Sequence, residues 1–367
     1  MKLRPVETPH FPWLDPAKYT FSLGLEAAGA TWLSGQTAAA FDAEAGRVAV
    51  SGDAAAQSAL CWEKIGAVLD GAGRDPGDCS ELVEYLTLDG LRARDAVAAA
   101  RPTPRPASTL VVESLLRPEA VVEVEAVCGA PKGLVRLPQI LPLREDGSVA
   151  APGDLVGQAE FVLEEAGRQL TGHGLDLRHV VRSVEQTTAA TRSQYRETGR
   201  ARKRLLGPAF PASTGVLSPA LPHPDALIAL EVWASSQTKR VVNPGWPAFD
   251  RLTFSPGVAA GELLFISGTT AWDPANGETV APGDIGAQAA FVYEQIGAIC
   301  EAAGGSIGDL VKTIEYVTPS GVGGYRDVAK LRERVLRRPF PASTGVVVGG
   351  LLSPSWLIEI EALAVLS

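Results

Sequence analysis

Apolar residues follow two rhythms in this chain, and the same succession of rhythms comes round three times. In the last third, Leu263–Ile266 is a continuous apolar run and Leu357–Val365 alternates, patterns that predict strands. Between them Val292, Ile296 and Ile299 recur at helical spacing, and Gly304-Gly305 stop that helix. Thr253–Gly257 is expected to open the first strand and Val311–Thr318 to form another. Arg326–Arg337 reads as a second helix and Ser343–Val348 as the penultimate strand, giving the order β-β-α-β-α-β-β. The first third repeats this: Thr20-Phe21-Ser22 precedes Gly24, and a helix carrying Cys61, Ile65, Val68 and Leu69 ends at Gly71 and Gly73.

Polar landmarks keep step with these elements. Pro-Ala-Ser-Thr occurs at Pro106–Thr109, Pro211–Thr214 and Pro341–Thr344. Upstream lie Asp53/Gln57, Asp154/Gln158 and Asp284/Gln288, where the aspartate is placed to cap a helix. A step of 27 residues from each glutamine lands on Glu84, Glu185 and Glu315. A glutamate in an alternating strand follows each serine by 17 or 18 residues: Glu125, Glu231 and Glu361. Landmarks held in order at near-constant spacing mark one module used three times. The expected modules are residues 1–128, 134–235 and 247–367, joined by Gly129–Gly133 and a segment near Ser235–Pro247, linkers short enough to favour packed modules. The middle copy is degenerate. Gln57 and Gln158 are 101 residues apart, against 130 between Gln158 and Gln288, so about one strand and its approach are missing. Gln139–Leu143 and the turn Glu145-Asp146-Gly147 stand in for the first hairpin.

Composition narrows the partners. A formal charge of −9 argues against nucleic acid, whose binding rests on phosphate neutralisation. The richest basic run, Arg200–Arg204, is expected to form the solvated end of a helix. No apolar stretch follows Lys2 and Arg4 as in a signal peptide, and none approaches a membrane span, so a cytoplasmic protein is expected. Cys61, Cys79, Cys128 and Cys300 have no paired spacing and read as reduced core thiols; with four scattered histidines, neither a metal site nor a cofactor is expected.

The run Ser267-Gly268, Gly283-Asp284 with Gln288, Phe340–Val346 and Leu357–Ala362 resembles the RidA/YjgF family. Ser34-Gly35-Gln36 and Val122–Ala126 carry the same resemblance in the first module. It implies an α+β, chorismate-mutase-like module, normally a homotrimer with sites in the clefts between subunits. Three modules in one chain would then form an intramolecular pseudo-trimer, complete as a monomer. The family's best-known activity is hydrolysis of enamines and imines. Its substrate-clamping arginine is replaced here by Ser108, Ser213 and Ser343. The first glutamate of the closing strand, which in the family helps place water, is kept as Glu123 and Glu359 and is Ala229 in the middle module.

The expected catalytic groups are therefore Glu359 and Glu123, on one strand face with Glu361 and Glu125. The second glutamates read as charge-paired at module seams. Ser343, Ser108 and Thr344 are expected to hydrogen-bond substrate or backbone rather than act as nucleophiles, since no His or Lys recurs beside them. Ser34, Gly35, Ser267 and Gly268 offer an oxyanion cradle or, alternatively, a glycine that permits close packing. Arg326, like Arg196 at the matching position, stands where a helix-borne cation would replace the lost clamp or, alternatively, lie on a solvated helix face, and Trp356 where a ring lines a pocket or packs at a module interface. The leading expectation is a deaminase-like hydrolase of a small molecule. The alternatives are an enzyme resembling chorismatases, which act on a cyclic enol ether, and a non-catalytic metabolite-binding protein. A cation in the cleft, and an acid beside it, separate these readings.

Overall fold

The computed structural model describes residues 3–103 and 105–366; Lys2 lies outside them. Each of the three expected helices begins on its landmark aspartate. Asp53 accepts from the Ala56 amide, Asp154 from Val156 and Asp284 from Ala287, satisfying amides the helix itself leaves unpaired. The helices run Ala54–Gly71, Leu155–Thr171 and Ile285–Ala303.

Four residues on, the landmark glutamine is buried and ties two places together. Gln288 donates to the carbonyls of Ala281 and Ser355 and accepts from the Leu357 amide at 2.8 Å. Gln57 and Gln158 make the equivalent bonds, accepting from Val121 and Leu227. Each glutamine thus fixes the approach to its closing strand, the one that carries the paired glutamates.

Among the described residues three large sheets result, with a small two-stranded ribbon of Ala40–Asp42 and Arg47–Ala49 beside them, and the fold is mixed α+β. The first is ordered Arg4–Pro5, Gly24–Ala27, Ala30–Leu33, Val122–Gly129, Cys79–Leu86, Ser108–Val111. The third is ordered Lys239–Val242, Gly257–Ala260, Leu263–Thr270, Ile358–Val365, Leu310–Val317, Ala342–Val347, Ser114–Leu115. Its last strand comes from the first third of the chain, and Gly350–Leu351 likewise completes the middle sheet beside Ala212–Ser218. The units are interlocked by backbone pairing as well as packed.

The middle sheet has one lead strand, Leu134–Arg136, where the outer sheets have a hairpin. Ile140 bridges Leu230 and Leu143 bridges Val149, so Gln139–Leu143 and the turn after it do cover that edge. Two expectations change. Lys239–Val242, read as linker, is a strand paired with Gly257–Ala260. Thr253–Ser255 is not in a strand; Ser255 instead makes an isolated parallel bridge to Ala212.

One face of each sheet packs on its own helices, as Ile296 and Ile299 do against Leu264 and Ile360. The opposite faces of all three sheets meet one another. Trp32, Val181, Trp233, Phe265 and Val311 share one such cluster, Tyr85, Val216 and Tyr316 another. Helices therefore lie outside and sheets inside, and the seams between sheets are where the polar landmarks gather.

The cysteine expectation needs correction. Cys79 and Cys128 sit opposite each other on adjacent strands and form a disulfide. A separation of 49 residues gave no spacing signal; strand register alone brings them together. Cys61 and Cys300 are free and buried, as expected. Among the described residues no helix is long and apolar enough to cross a membrane, and no group of three or more His, Cys, Asp or Glu could hold a metal ion.

Candidate active site between the second and third units

The landmark glutamates Glu84, Glu185 and Glu315 prove to be anchors. Each is buried and paired with an arginine on the following helix or turn: Arg101 at 2.6 Å, Arg202 at 2.5 Å and Arg332 at 2.9 Å. Tyr195 also donates to Glu185, and Tyr293 and Tyr325 to Glu315. Arg202 is thus not part of a solvated helix end, as the run Arg200–Arg204 suggested; it is buried, because Glu185 needs its charge. Each arginine lies 17 residues after its glutamate, a spacing visible in the sequence once the pair is known.

Along the central seam the second glutamates meet cations from neighbouring sheets. Glu125 pairs with Lys312 at 2.9 Å, and Glu361 with Arg182. Glu231 stands 3.7 Å from Arg182, and Glu81 3.1 Å from Arg136. Threonines extend this network outward: Thr214 donates to Glu361 and accepts from the Gly268 amide, at 2.9 and 3.1 Å. Thr344 repeats the arrangement between Glu125 and the Gly35 amide.

The candidate residues therefore assemble across units rather than within them. Glu359, Ser267 and Gly268 face Ser213 and Thr214 of the middle unit, with the Ser213 amide donating to Ser267 Oγ at 2.8 Å. Glu123, Ser34 and Gly35 face Ser343 and Thr344 of the third, with the Ser343 amide donating to Ser34 Oγ at 2.7 Å. Ser343 Oγ also accepts from Thr313 and Arg332, so its lone pairs are taken. In the remaining seam Gln139 occupies the equivalent place, exchanging bonds with the backbone of Thr109. Ser108 lies buried there, with Ala229 in place of a glutamate.

Glycine in the Ser-Gly pair has a steric reason. A β-carbon on Gly268 would sit 2.8 Å from Glu359 Cδ, and one on Gly35 would sit 2.9 Å from Glu123 Cδ. Only glycine lets the carboxyl lie flat against the strand. Burial pushes Glu359 up to about 8; Glu361 beside it adds to the rise and the Gly215 amide opposes it. No Lys or Arg pairs with Glu359 among the described residues. Glu123 is also raised to about 8 by burial and Glu125, against Lys312 and Lys64. Lys64, seven residues after Gln57, donates to the Thr37 and Ala39 carbonyls. Gln295, seven after Gln288, bonds the equivalent Thr270 and Trp272 carbonyls. The site around Glu359 thus has a neutral amide where the other has an ammonium group.

Glu359 opens onto a cleft of about 1140 Å³ between the middle and third units. Trp356, Trp246, Phe249 and Trp272 form its apolar lining, and Gln295 and Ser353 are among its polar groups. Its cations are Arg192, Arg196, Arg200, Lys203 and Arg251, with the paired Arg202 behind them. Glu359 is the single carboxyl in the lining. Arg196 is in this cleft; Arg326 is exposed on the third unit's helix Tyr325–Val335 and lines none of it.

Residues 249–366 match the family described as Endoribonuclease L-PSP. A RutC family protein of Pyrococcus horikoshii is 40% identical over 114 residues, covering 30% of this chain and 85% of the relative. One from Pyrococcus abyssi is 36% identical over 114 residues, covering 30% and 84%. A solved chorismatase aligns over 78% of this chain and 93% of its own with a TM-score of 0.56, at 14% identity, a likeness of fold. Conserved sequence and interlocked α+β units together make the chain a member of the RutC, or RidA/YjgF, family.

Proposed function

We propose that the chain is a hydrolase of an anionic enamine or enol ether, acting in the cleft between its second and third units. The carrying observation is Glu359: a buried carboxyl with no counterion, held neutral near pH 7 and set at the edge of a cation-rich cleft. A neutral carboxyl is a proton donor. Enamines and enol ethers share the step it would serve, since both are protonated at the β-carbon to give an iminium or oxocarbenium ion. Water then adds to the cationic carbon, and the carboxylate left on Glu359 takes a proton from that water. The tetrahedral adduct collapses to a ketone with loss of ammonia or an alcohol, and the proton balance closes.

The cations supply what the Ser213 substitution removed. In place of a strand-borne arginine, the middle unit's helical segment presents Arg192, Arg196 and Arg200. A passive metabolite binder has no use for a buried carboxyl without a countercharge, which favours the enzyme. Under the same proposal residues 1–128, 134–235 and 247–367 are the three members of an intramolecular trimer, and the chain works as a monomer. The sites are unequal: Gln139 fills the first-second seam and Lys64 changes the polarity of the first-third one.

The test is a panel of anionic enol ethers and of enamines generated in situ, with ketone formation as readout. Turnover lost in Glu359→Gln and kept in Glu123→Gln supports the assignment. Turnover kept in Glu359→Gln sinks it.

A further inference from the structure

The five cations of the cleft are arranged for more charge than one carboxylate brings. Arg192 lies in the turn after Ala189–Thr191, Arg196 in the 3-10 turn Tyr195–Thr198, and Arg200 and Lys203 on the helix Gly199–Leu206, and all four face the cleft as one basic stripe. Arg251 approaches from the third unit. All five are exposed, and none forms an ion pair among the described residues, whereas the neighbouring Arg204 is held by Glu160 and Glu164. Such a stripe would repel itself without a ligand, and the whole chain carries −9, so the clustering is local. The matching helix of the third unit reads Val322, Arg326, Lys330 and Glu333, which breaks the stripe with an apolar and an acidic residue. The middle unit, which has lost its hairpin and its own glutamate, carries the stripe intact.

Size points the same way. About 1140 Å³ exceeds the roughly 300–1,000 Å³ that houses a drug-sized ligand. Phe249 lies tilted against Trp246 and edge-on to Trp272, with ring centroids 5.7 and 5.9 Å apart, so the three rings give an aromatic wall to the cleft that also holds Glu359 and the cations. Guanidinium forks match phosphate oxygens in pairs, and a pyrophosphate concentrates several charges within reach of neighbouring side chains.

We propose that the substrate carries a pyrophosphate-type tail, bound by Arg192, Arg196, Arg200, Lys203 and Arg251, with its reacting double bond at Glu359. This rests on the reading of Glu359 as the reacting end. The substrate is then an extended phosphorylated molecule rather than a free amino-acid-sized imine.

Calorimetric titration of the full chain with inorganic pyrophosphate tests this, with citrate as the polycarboxylate control. One pyrophosphate per chain is expected, binding more tightly than citrate. Each of Arg196→Glu and Arg200→Glu should weaken it about tenfold or more; Arg→Gln variants serve should charge reversal disturb folding. ADP or coenzyme A binding more tightly than pyrophosphate supports the tail and identifies the group that bears it. Citrate equal to pyrophosphate overturns the phosphate assignment. No binding, or binding indifferent to both arginines, overturns the site. Glu359→Gln should bind pyrophosphate like the parent. Turnover surviving in that variant would defeat the acid role alone, and failed pyrophosphate binding beside an inactive Glu359→Gln would defeat the tail alone.

Discussion

Gly268 and Glu359 occupy each other's space: the carboxyl of one lies where the other would carry a β-carbon, 2.8 Å from Cδ. Gly268→Ala should therefore displace the carboxyl and lower turnover by about 10²-fold or more, the range of a lost general acid. Overpacking of this kind costs about 1–3 kcal/mol, so the variant should still fold. Thermal melting beside steady-state rates separates the two effects. A variant as active as the parent would contradict the placement of Glu359.

The protonation of Glu359 sets a pH limit. Its carboxyl is raised to about 8, so the acid form persists through neutrality and is lost above that value. kcat/KM should fall with unit slope above pH about 8, and Glu359→Gln should abolish that limb together with activity. Glu123, Glu231 and Glu359 are all raised from an ordinary carboxylate value, so the folded chain holds more protons than the unfolded one between about 4.5 and 8. Their contribution to stability is whole below that window and declines as pH rises through it. Melting temperature against pH, compared with a Glu231→Gln variant, reads this directly.

Removing Arg332 strands Glu315, which is buried and also bonded by Tyr293 and Tyr325. Arg332→Met should cost about 3–5 kcal/mol, and adding Glu315→Gln should recover part of it, because the penalty is an unpaired buried charge. Urea denaturation of the single and double variants checks this. Equal stability of all three would refute the anchor role.

Gly350–Leu351 and Ser114–Leu115 each extend a sheet of another unit, pairing that supports the proposed closure of the three units within one chain. Light scattering should give one chain mass, about 38.4 kDa, at working concentration. A stable trimer of the whole chain would contradict the closed arrangement.

Much of this was legible in the sequence because it depends on local chemistry. Asp284 caps a helix and Ile296 faces the sheet for reasons contained within a few residues. The same holds for the alternation that places Glu359 and Glu361 on one strand face. The site was harder to see. Spacing does not say which module's serine meets which glutamate: Ser213 and Thr214 of the preceding module meet the Glu359 seam, and Ser343 meets that of Glu123. The cations divide only in three dimensions: Arg202 is an internal counterion rather than part of a solvated helix end, and Arg326, unlike Arg196, does not line the cleft.

The sequence by itself determined that one module is used three times, what each module's elements are, and which glutamates survive in which copy. Spacing and periodicity carry that information because they act within a module. Only the tertiary structure decided which copies confront each other, that Cys79 meets Cys128, and that basic residues of the degenerate unit share a cleft with the buried Glu359 carboxyl. Those are relations between surfaces distant in sequence. They follow from how three sheets close around a shared interior, where burial rather than spacing fixes a group's charge and its neighbours.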